Sequence, residues 1–144
     1  MERIKVSLPD SFSFSTRIDI RITDLNYGGH VGNDSFLSLV HEARQQFLKR
    51  FGYSELSIEG AALIMADSAI EYKRELSYGD VIKISVAAGA FDRLGFDLYY
   101  LLEVSSEGIW LTAGKVKTGM LCFDYTTRKK VPVPAKAIEK MNAG

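Results

Sequence analysis

Residue types that mark particular classes of function are scarce in this 144-residue sequence. It has one cysteine, Cys122, which excludes an intramolecular disulfide and any multi-cysteine metal site. Its two histidines, His30 and His41, lack a third ligand at metal-binding spacing, so we expect no metal and no cofactor. The three prolines lie near the ends of the chain, which leaves its interior free to form long strands that keep their hydrogen bonds.

The sequence also lacks a net charge, because 18 basic and 18 acidic side chains balance. Binding to nucleic-acid phosphates usually needs a basic excess, so we expect no nucleic-acid partner. The one dense basic run, residues 128–130, is interpreted as a solvated turn between strands or as a contact for a nucleotide phosphate. No stretch approaches the roughly 20 apolar residues that cross a bilayer, and no signal peptide is apparent. We therefore expect no membrane partner and a cytoplasmic location.

What the sequence does have is the composition of a folded domain, with 47% hydrophobic and 25% charged residues. At this length folding buries roughly two-thirds of the surface that the unfolded chain exposes. We therefore expect residues 1–144 to form a single domain. Cys122 lies in an apolar run and is predicted to be a buried, inert thiol.

Hydrophobic periodicity predicts several strands and one long helix. Residues 14–23 alternate as a strand, and residues 36–51 repeat apolar positions at helical spacing. The helix has Asn33 or Asp34 as its N-cap and Gly52 just past its end. Later segments are predicted to form strands and a final short helix: 62–75, 81–91, 96–104, 109–125 with a bend or bulge near Gly114 or Gly119, and the helix at 135–141.

The order of these elements predicts an α+β fold. The four later strands are expected to form an antiparallel meander. One helix cannot cover both faces of a five-stranded sheet, so a curved antiparallel sheet should wrap around the central helix. The remaining sheet surface would then be buried against a second copy of the chain, in a homodimer or a tetramer.

The connection between the first strand and the helix holds residues suited to acyl transfer. Gly28 and Gly29 let a ligand approach the backbone, and N–H groups near Gly29 and at the helix start can polarise a thioester carbonyl. Asp24, Asn26 or His30 can position or activate a water molecule. The alternative is structural: Asp24 and Asn26 form the turn, the glycines permit it, and His30 packs as a satisfied side chain.

Two stretches of sequence follow a known family pattern. Residues 21–37, RITDLNYGGHVGNDSFL, followed by the HEAR sequence at 41–44, match D-x-D-x-x-G-H-V-N-N-x-x-Y-L with an E-x-A-R helix. Residues 70–80, IEYKRELSYGD, match I-x-Y-x-x-P-x-x-x-G-D. The chain thus resembles, over about residues 14–135, the hot-dog-fold acyl-CoA thioesterases related to 4-hydroxybenzoyl-CoA thioesterase. The resemblance implies a hot-dog fold and hydrolysis of an acyl-CoA or acyl-carrier-protein thioester at a site between two subunits.

The resemblance also implies that Asp24, Asn26, His30 and Glu42 are the catalytic residues. Asn26 stands where many members have a catalytic aspartate, and an amide cannot act as a base. The pair formed by Asp24 and Asn26 is similar to the D-x-N pair of plant acyl-carrier-protein thioesterases. In those enzymes the asparagine positions the thioester carbonyl or the water.

Two carboxylates outside this segment are further candidates. In some hot-dog thioesterases a glutamate on the central helix supplies the carboxylate, which here is Glu42; the alternative is an exposed side chain paired with Gln45 or Gln46. Asp67 interrupts the apolar run 62–70, so it must be paired or have a shifted pKa. In hot-dog dimers this strand lies near the partner's active site, and a structural hydrogen bond is the alternative for Asp67.

The expected contacts with the substrate lie within these motifs or just before the second one. They are Gly29, Val31, Asn33, Asp67, Ser68 and Arg74. Basic residues that are candidates for the CoA phosphates, or else exposed charges on strands, are Lys73, Arg74, Arg93, Lys115 and Lys117. Two other functions stay open: a non-catalytic acyl-CoA-binding protein, and a hydratase or dehydratase of the same fold.

Overall fold

The structure is a computed structural model that describes residues 1–143. The predicted domain also includes Gly144, which lies outside the described residues. The elements in chain order are β1 (Phe14–Asp19), α1 (Asn33–Lys49), β2 (Ala62–Tyr72), β3 (Val81–Gly89), β4 (Gly95–Ser106), β5 (Ile109–Asp124), β6 (Lys129–Lys130) and α2 (Ala135–Ala143). A single 3-10 turn, Ile22–Asp24, follows β1. Within residues 1–143 no helix is both long and apolar enough to cross a membrane.

The strands form one antiparallel sheet in the order β1-β3-β4-β5-β2, and β6 pairs with the end of β5. The strands β3, β4 and β5 make the expected meander, but the prediction that β2 joins it as a neighbour of β3 is wrong. β2 pairs with β5 instead, so that Leu63 lies opposite Cys122 and Ile70 lies opposite Val116. Periodicity in the sequence indicates which face of the sheet a side chain lies on. It does not indicate which strands pair with each other.

Helix α1 covers one face of this sheet and forms the core with it. Its buried side chains are Phe36, Leu39, Val40, Ala43, Arg44, Phe47 and Leu48. The alternating strand residues that share the core include Ile82, Ile84, Val86, Leu98, Tyr100, Leu102 and Val116. The predicted α+β architecture, an antiparallel sheet around one long helix, is therefore confirmed, with a sixth strand of only two residues added.

The two ends of α1 differ in how well they were predicted. Neither predicted residue is the N-cap: Gly32 takes that position, and Asn33 is already helical, with its Oδ1 accepting the N–H of Asp34 at 2.9 Å. The chain enters the helix early because the N–H of Val31 is held by the carbonyl of Leu76 at 2.9 Å. The predicted end is confirmed, since Gly52 lies just beyond it with a φ of +75°.

The predicted bulge of the long strand is present beside Gly114. Between β4 and β5 the register shifts at Ala113, beside Gly114. Between β2 and β5 it shifts opposite Gly119, where the extra residue, Ala66, belongs to β2. The carbonyl of Ala113 accepts the N–H groups of both residues 73 and 74, at 2.8 and 3.1 Å. The first bulge thus anchors the segment that leaves β2.

Candidate functional site

The connection between β1 and α1 folds into a tight loop. The N–H of Asn26 donates to the carbonyl of His30 at 2.8 Å, and Leu25 bridges to Val31. At the tip, Gly29 has a φ of +82° and its N–H donates to the carbonyl of Asn26 at 3.1 Å. In this conformation the Gly29 N–H is used by a hydrogen bond within the loop. Its predicted contact with a thioester stays a prediction.

The side chain of Asn26 has a defined orientation. Its Oδ1 accepts the N–H of Gly28 at 2.9 Å, and only the oxygen end of a carboxamide can do so. The Nδ2 group therefore faces away from this contact, and it lies beside Gly32, where a Cβ atom would be 3.5 Å from it. Asn26 thus presents a hydrogen-bond donor at the start of α1, which suits it to hold a carbonyl oxygen.

Asp24 has a structural role in the 3-10 turn. It is buried, and its oxygens accept the backbone N–H of Arg21 at 2.8 Å and the Arg21 guanidinium at 3.2 Å. Burial alone would raise the pKa of this carboxyl, but the hydrogen bonds from Arg21 outweigh it and hold the pKa below its usual value. This geometry favours the turn-forming alternative for Asp24.

His30 meets a carboxylate that sequence reasoning missed. Its Nε2 lies 3.2 Å from Oε2 of Glu75, with 43% of the histidine and 77% of the glutamate side chain exposed. The backbone brings them together, because Val31 bonds to Leu76 and His30 bridges to Ser77. The sequence holds no signal for this pair beyond the nearness of both residues to a motif.

A depression of about 290 Å³ lies beside this pair. Its lining consists of Val31, Phe36, Tyr72, Lys73, Arg74, Glu75 and Leu76. Val31 and Arg74 were predicted as substrate contacts, whereas Phe36, Tyr72 and Glu75 were not. Phe36 and Tyr72 pack edge to face, with ring centroids 5.1 Å apart. The depression therefore offers an apolar wall next to a histidine and a basic rim.

Two other predicted site residues, Glu42 and Asn33, do not line the depression beside His30. Glu42 is exposed on α1, and its Oε2 accepts the Nε2 group of Gln46 at 2.7 Å, as the structural alternative predicted. It lines a different groove, between β1 and α1, which does not include His30. Asn33 is exposed at the start of α1. It follows Gly32 in the sequence, whereas the loop precedes Gly32.

Asp67 and Ser68 lie on the outer strand of the sheet. In the single chain β2 is an edge strand, and 62% of the Asp67 side chain is exposed although its neighbours in sequence are apolar. The expected pairing is present: Oδ1 accepts Lys117 Nζ at 2.7 Å and the N–H of Gly119 at 3.0 Å. The hydrogen bond from Lys117 lowers the pKa of Asp67 below its usual range.

The basic candidates for the CoA phosphates divide into two sets. Lys73, Arg74 and Lys115 line a depression of about 320 Å³, which shares its first two residues with the depression beside His30. Lys117 is engaged by Asp67 and by Asp97, the latter at 3.5 Å. Arg93 lies apart from both depressions, in the turn between β3 and β4.

His41 belongs to a polar network that runs from α1 to the strands β4 and β5. Its Nε2 lies 3.0 Å from Glu55, whose same oxygen also accepts Arg44 Nε at 2.9 Å. Arg44 Nη1 donates to the hydroxyl of Tyr100 at 3.2 Å, and this hydroxyl lies 2.8 Å from Thr118 Oγ1. The network ties α1 to β4 and β5, and it uses the second histidine away from the loop.

The described residues 1–143 present no cluster of metal-ligating side chains and no exposed thiol. Within residues 1–143 no group of three or more His, Cys, Asp or Glu side chains is placed to hold a metal ion. Cys122 is buried as predicted, and burial raises the pKa of its thiol to about 11. The polar side chains of the loop itself carry carboxylate, amide and imidazole groups.

Comparison with known proteins extends over nearly the whole fold. The model of the thioesterase-like superfamily matches residues 20–141. The chain is 28% identical over 118 residues to the 1,4-dihydroxy-2-naphthoyl-CoA hydrolase of Microcystis aeruginosa, covering 80% of this chain and 83% of that protein. A thioesterase from Thermus thermophilus, solved with coenzyme A and Zn, is 25% identical with a TM-score of 0.78, covering 94% of this chain and 96% of that one. A mutant 4-hydroxybenzoyl-CoA thioesterase bound to 4-hydroxybenzoyl-CoA is 16% identical with a TM-score of 0.81, covering 91% and 99%.

Proposed function

Because this chain belongs to the thioesterase-like superfamily, a family of thioester hydrolases, we propose that it hydrolyses an acyl-CoA at a site built by two subunits. The observation that carries this proposal is the loop at 24–31. It places the amide of Asn26 at the start of α1 and the ring of His30 beside a depression with an apolar wall. Hydrolysis of a thioester needs a donor for the carbonyl oxygen, a base for water, and little help for the thiolate that leaves.

Asn26 is the proposed donor. Its Nδ2 group, together with the N-terminal end of α1, would hold the carbonyl oxygen as negative charge develops on it. His30 is the proposed base, which removes a proton from water as the water oxygen attacks the carbonyl carbon. The carbon–sulfur bond then breaks, and the departing CoA sulfur takes up that proton.

Two adjoining depressions support an acyl-CoA as the substrate. The acyl group would occupy the one with Phe36 and Tyr72, whose volume of about 290 Å³ suits a compact, ring-containing group. The phosphates would contact Lys73, Arg74 and Lys115 in the other. The relative from Microcystis is named for an aromatic acyl-CoA, which agrees with both assignments and favours CoA over a carrier protein.

The free edge of β2 supports the proposal of a homodimer. This edge carries exposed apolar side chains, Met65 and Tyr72, and an unpaired edge strand is a template for another strand. Pairing of two copies along β2 would cover Asp67 and Ser68 and would bring a second chain up to the depression beside His30. The protein is therefore expected to be at least a dimer in solution, as analytical ultracentrifugation can measure.

The function is tested with the purified protein and a panel of aromatic and aliphatic acyl-CoAs, by following thiol release. We expect turnover of aromatic acyl-CoAs and a loss of at least about a hundredfold in kcat for Asn26→Ala or His30→Ala. Asn142→Ala, at an exposed position of α2, is the matched control. An unchanged rate in the triple variant Asn26→Ala, His30→Ala and Glu42→Ala contradicts the assignment of these residues.

A second candidate function is a binding protein without catalysis. It is favoured by a single observation, the amide at position 26 in place of a carboxylate. Calorimetric titration separates the two: binding of an acyl-CoA with no thiol released over hours supports the binding protein. In either case Arg74→Gln should weaken the interaction with an acyl-CoA while leaving that with an acyl-pantetheine, which lacks the nucleotide, unchanged.

A further inference from the structure

We propose that Glu75 is the positioning residue for His30. Position 26 lacks the carboxylate of the family pattern, and Glu75 supplies one that acts through the histidine ring. This inference rests on the proposed hydrolysis, because it assigns a partner to its base. The motivating contact is the 3.2 Å distance between Glu75 Oε2 and His30 Nε2. Both side chains come from the same protomer, and Glu75 also lines the depression proposed for the acyl group.

The other candidate carboxylates are engaged with partners of their own. Asp24 closes the 3-10 turn with Arg21, Glu42 accepts a hydrogen bond from its helix neighbour, and Asp67 is held by Lys117 and the backbone. Within the described residues 1–143, Glu75 is the carboxylate at ion-pair distance from His30. It is therefore the one acidic group placed to act on this ring.

The backbone on both sides of the pair is held in place. On the histidine side, residue 26 bonds to residue 30 and Val31 bonds to Leu76. On the glutamate side, the N–H of Ser77 donates to Asp80 Oδ2 at 2.8 Å, and the segment before it is anchored at the bulge of β5. These contacts hold the two backbone segments side by side, so the side chains of His30 and Glu75 start from neighbouring positions.

The pair determines which ring nitrogen can act as the base. A carboxylate only accepts, so Glu75 favours the form of His30 with hydrogen on Nε2, and the lone pair then lies on Nδ1. Nδ1 takes one proton from the attacking water, whose oxygen forms a bond to the carbonyl carbon. When the carbon–sulfur bond breaks, the sulfur leaves with the electron pair and receives that proton. One water is consumed, and one carboxylic acid and one thiol are formed.

The sequence motifs agree with this exchange of roles. In the second motif the family pattern has proline at the position that Glu75 occupies, and in the first it has aspartate at the position of Asn26. Gly32 and Phe36 also depart from the first pattern, but the departures at positions 26 and 75 are the two that change a carboxylate at this site. One removes a carboxylate from the loop, and the other places a carboxylate against the loop's histidine.

A kinetic cycle with His30→Ala, Glu75→Ala and the double variant tests the role of Glu75. We expect Glu75→Ala to lower kcat for the best acyl-CoA about tenfold or more with KM nearly unchanged. Glu75→Gln should retain part of the activity, because an amide oxygen still accepts the Nε2 hydrogen. In the His30→Ala background, Glu75→Ala should change kcat less than about twofold. Equal losses in both backgrounds, or an unchanged kcat in Glu75→Ala, overturn the proposal; Glu139→Ala on α2 is the control.

The ring nitrogens of His30 give a readout that does not depend on turnover. Long-range proton–nitrogen NMR spectra should show the Nε2-protonated form of neutral His30 in the wild type and a mixture of both forms in Glu75→Ala. The chain has only one other histidine, so His41→Asn assigns the signals. Unchanged nitrogen signals in Glu75→Ala overturn the role of Glu75 whether or not the protein is active. A wild type with the expected signals but no thiol release contradicts the hydrolase and supports the pairing alone.

Discussion

The buried hydroxyl pair of Tyr100 and Thr118 allows a prediction of stability. Both side chains are fully buried, and their oxygens lie 2.8 Å apart. Arg44 can only donate to the Tyr100 oxygen, so the Tyr100 hydroxyl is left to donate to Thr118. Thr118→Val keeps the shape of the side chain and removes this acceptor, while Tyr100→Phe removes the donor and an acceptor of Arg44.

The magnitudes follow from burial. Because both side chains are fully buried, Thr118→Val leaves one hydroxyl donor unsatisfied, which costs about 1–3 kcal/mol. Tyr100→Phe leaves both the Thr118 hydroxyl and one guanidinium N–H short of a partner, which costs about 2–4 kcal/mol, because Arg44 keeps its bond to Glu55. The double variant removes both hydroxyls together. It should therefore cost less than the sum of the single variants by about 1–2 kcal/mol.

Urea unfolding at one fixed protein concentration measures this cycle, since an oligomer gains stability with concentration. A loss of about 2 kcal/mol moves the midpoint by roughly 1 M when the slope is about 2 kcal/mol per M. Thr112→Val, on the same strand but half-buried, is the matched control and should move the midpoint far less. Free energies that add within about 0.5 kcal/mol would refute the shared hydrogen bond.

Three further variants test single features of the fold and the loop. Asp24→Asn should lower the free energy of unfolding at neutral pH by about 1 kcal/mol. Because the pKa of Asp24 in the folded protein lies below the usual 3.8, the difference in stability between wild type and variant should fade as the pH drops below about 4. Urea midpoints measured across pH 2–7 can show this. Gly95→Ala should lower Tm by several degrees, because the new Cβ would lie 2.3 Å from the carbonyl oxygen of Met120; an unchanged Tm would contradict this packing. Gly29→Ala should cost about 1 kcal/mol through its positive φ alone and should lower kcat. The matched control is Gly108→Ala in the turn between β4 and β5, which has a similar positive φ and should cost similar stability with kcat unchanged.

The secondary structure could be predicted from the sequence because its periods are clear. The apolar positions of 36–51 recur at helical spacing, and those of β3 and β4 alternate, so each element follows from its own residues. The end of α1 at Gly52 and the bulge near Gly114 were predictable for the same reason. Each is a local requirement for a positive φ or an extra residue.

Placement across the sheet could not be predicted in this way. The pairing of β2 with β5 depends on a connection whose path no periodicity records, and it makes β2 an edge strand. The exposure of Asp67 follows from that pairing, although its neighbours in sequence are apolar. The contact between His30 and Glu75 likewise arises because Val31 bonds to Leu76, which brings together residues far apart in the chain.

The amide at position 26 and the carboxylate at position 75 have complementary roles in the proposed reaction. A carboxylate at position 26 would carry negative charge beside the start of α1, where the oxygen of the substrate carbonyl also becomes negative. Asn26 offers a donor there instead, and its own oxygen still closes the loop through Gly28. The proton of the attacking water must then go to another group, and His30 is the proposed base within the same loop. A base that carries positive charge during the reaction is stabilised by a carboxylate on its far side, which is the position of Glu75.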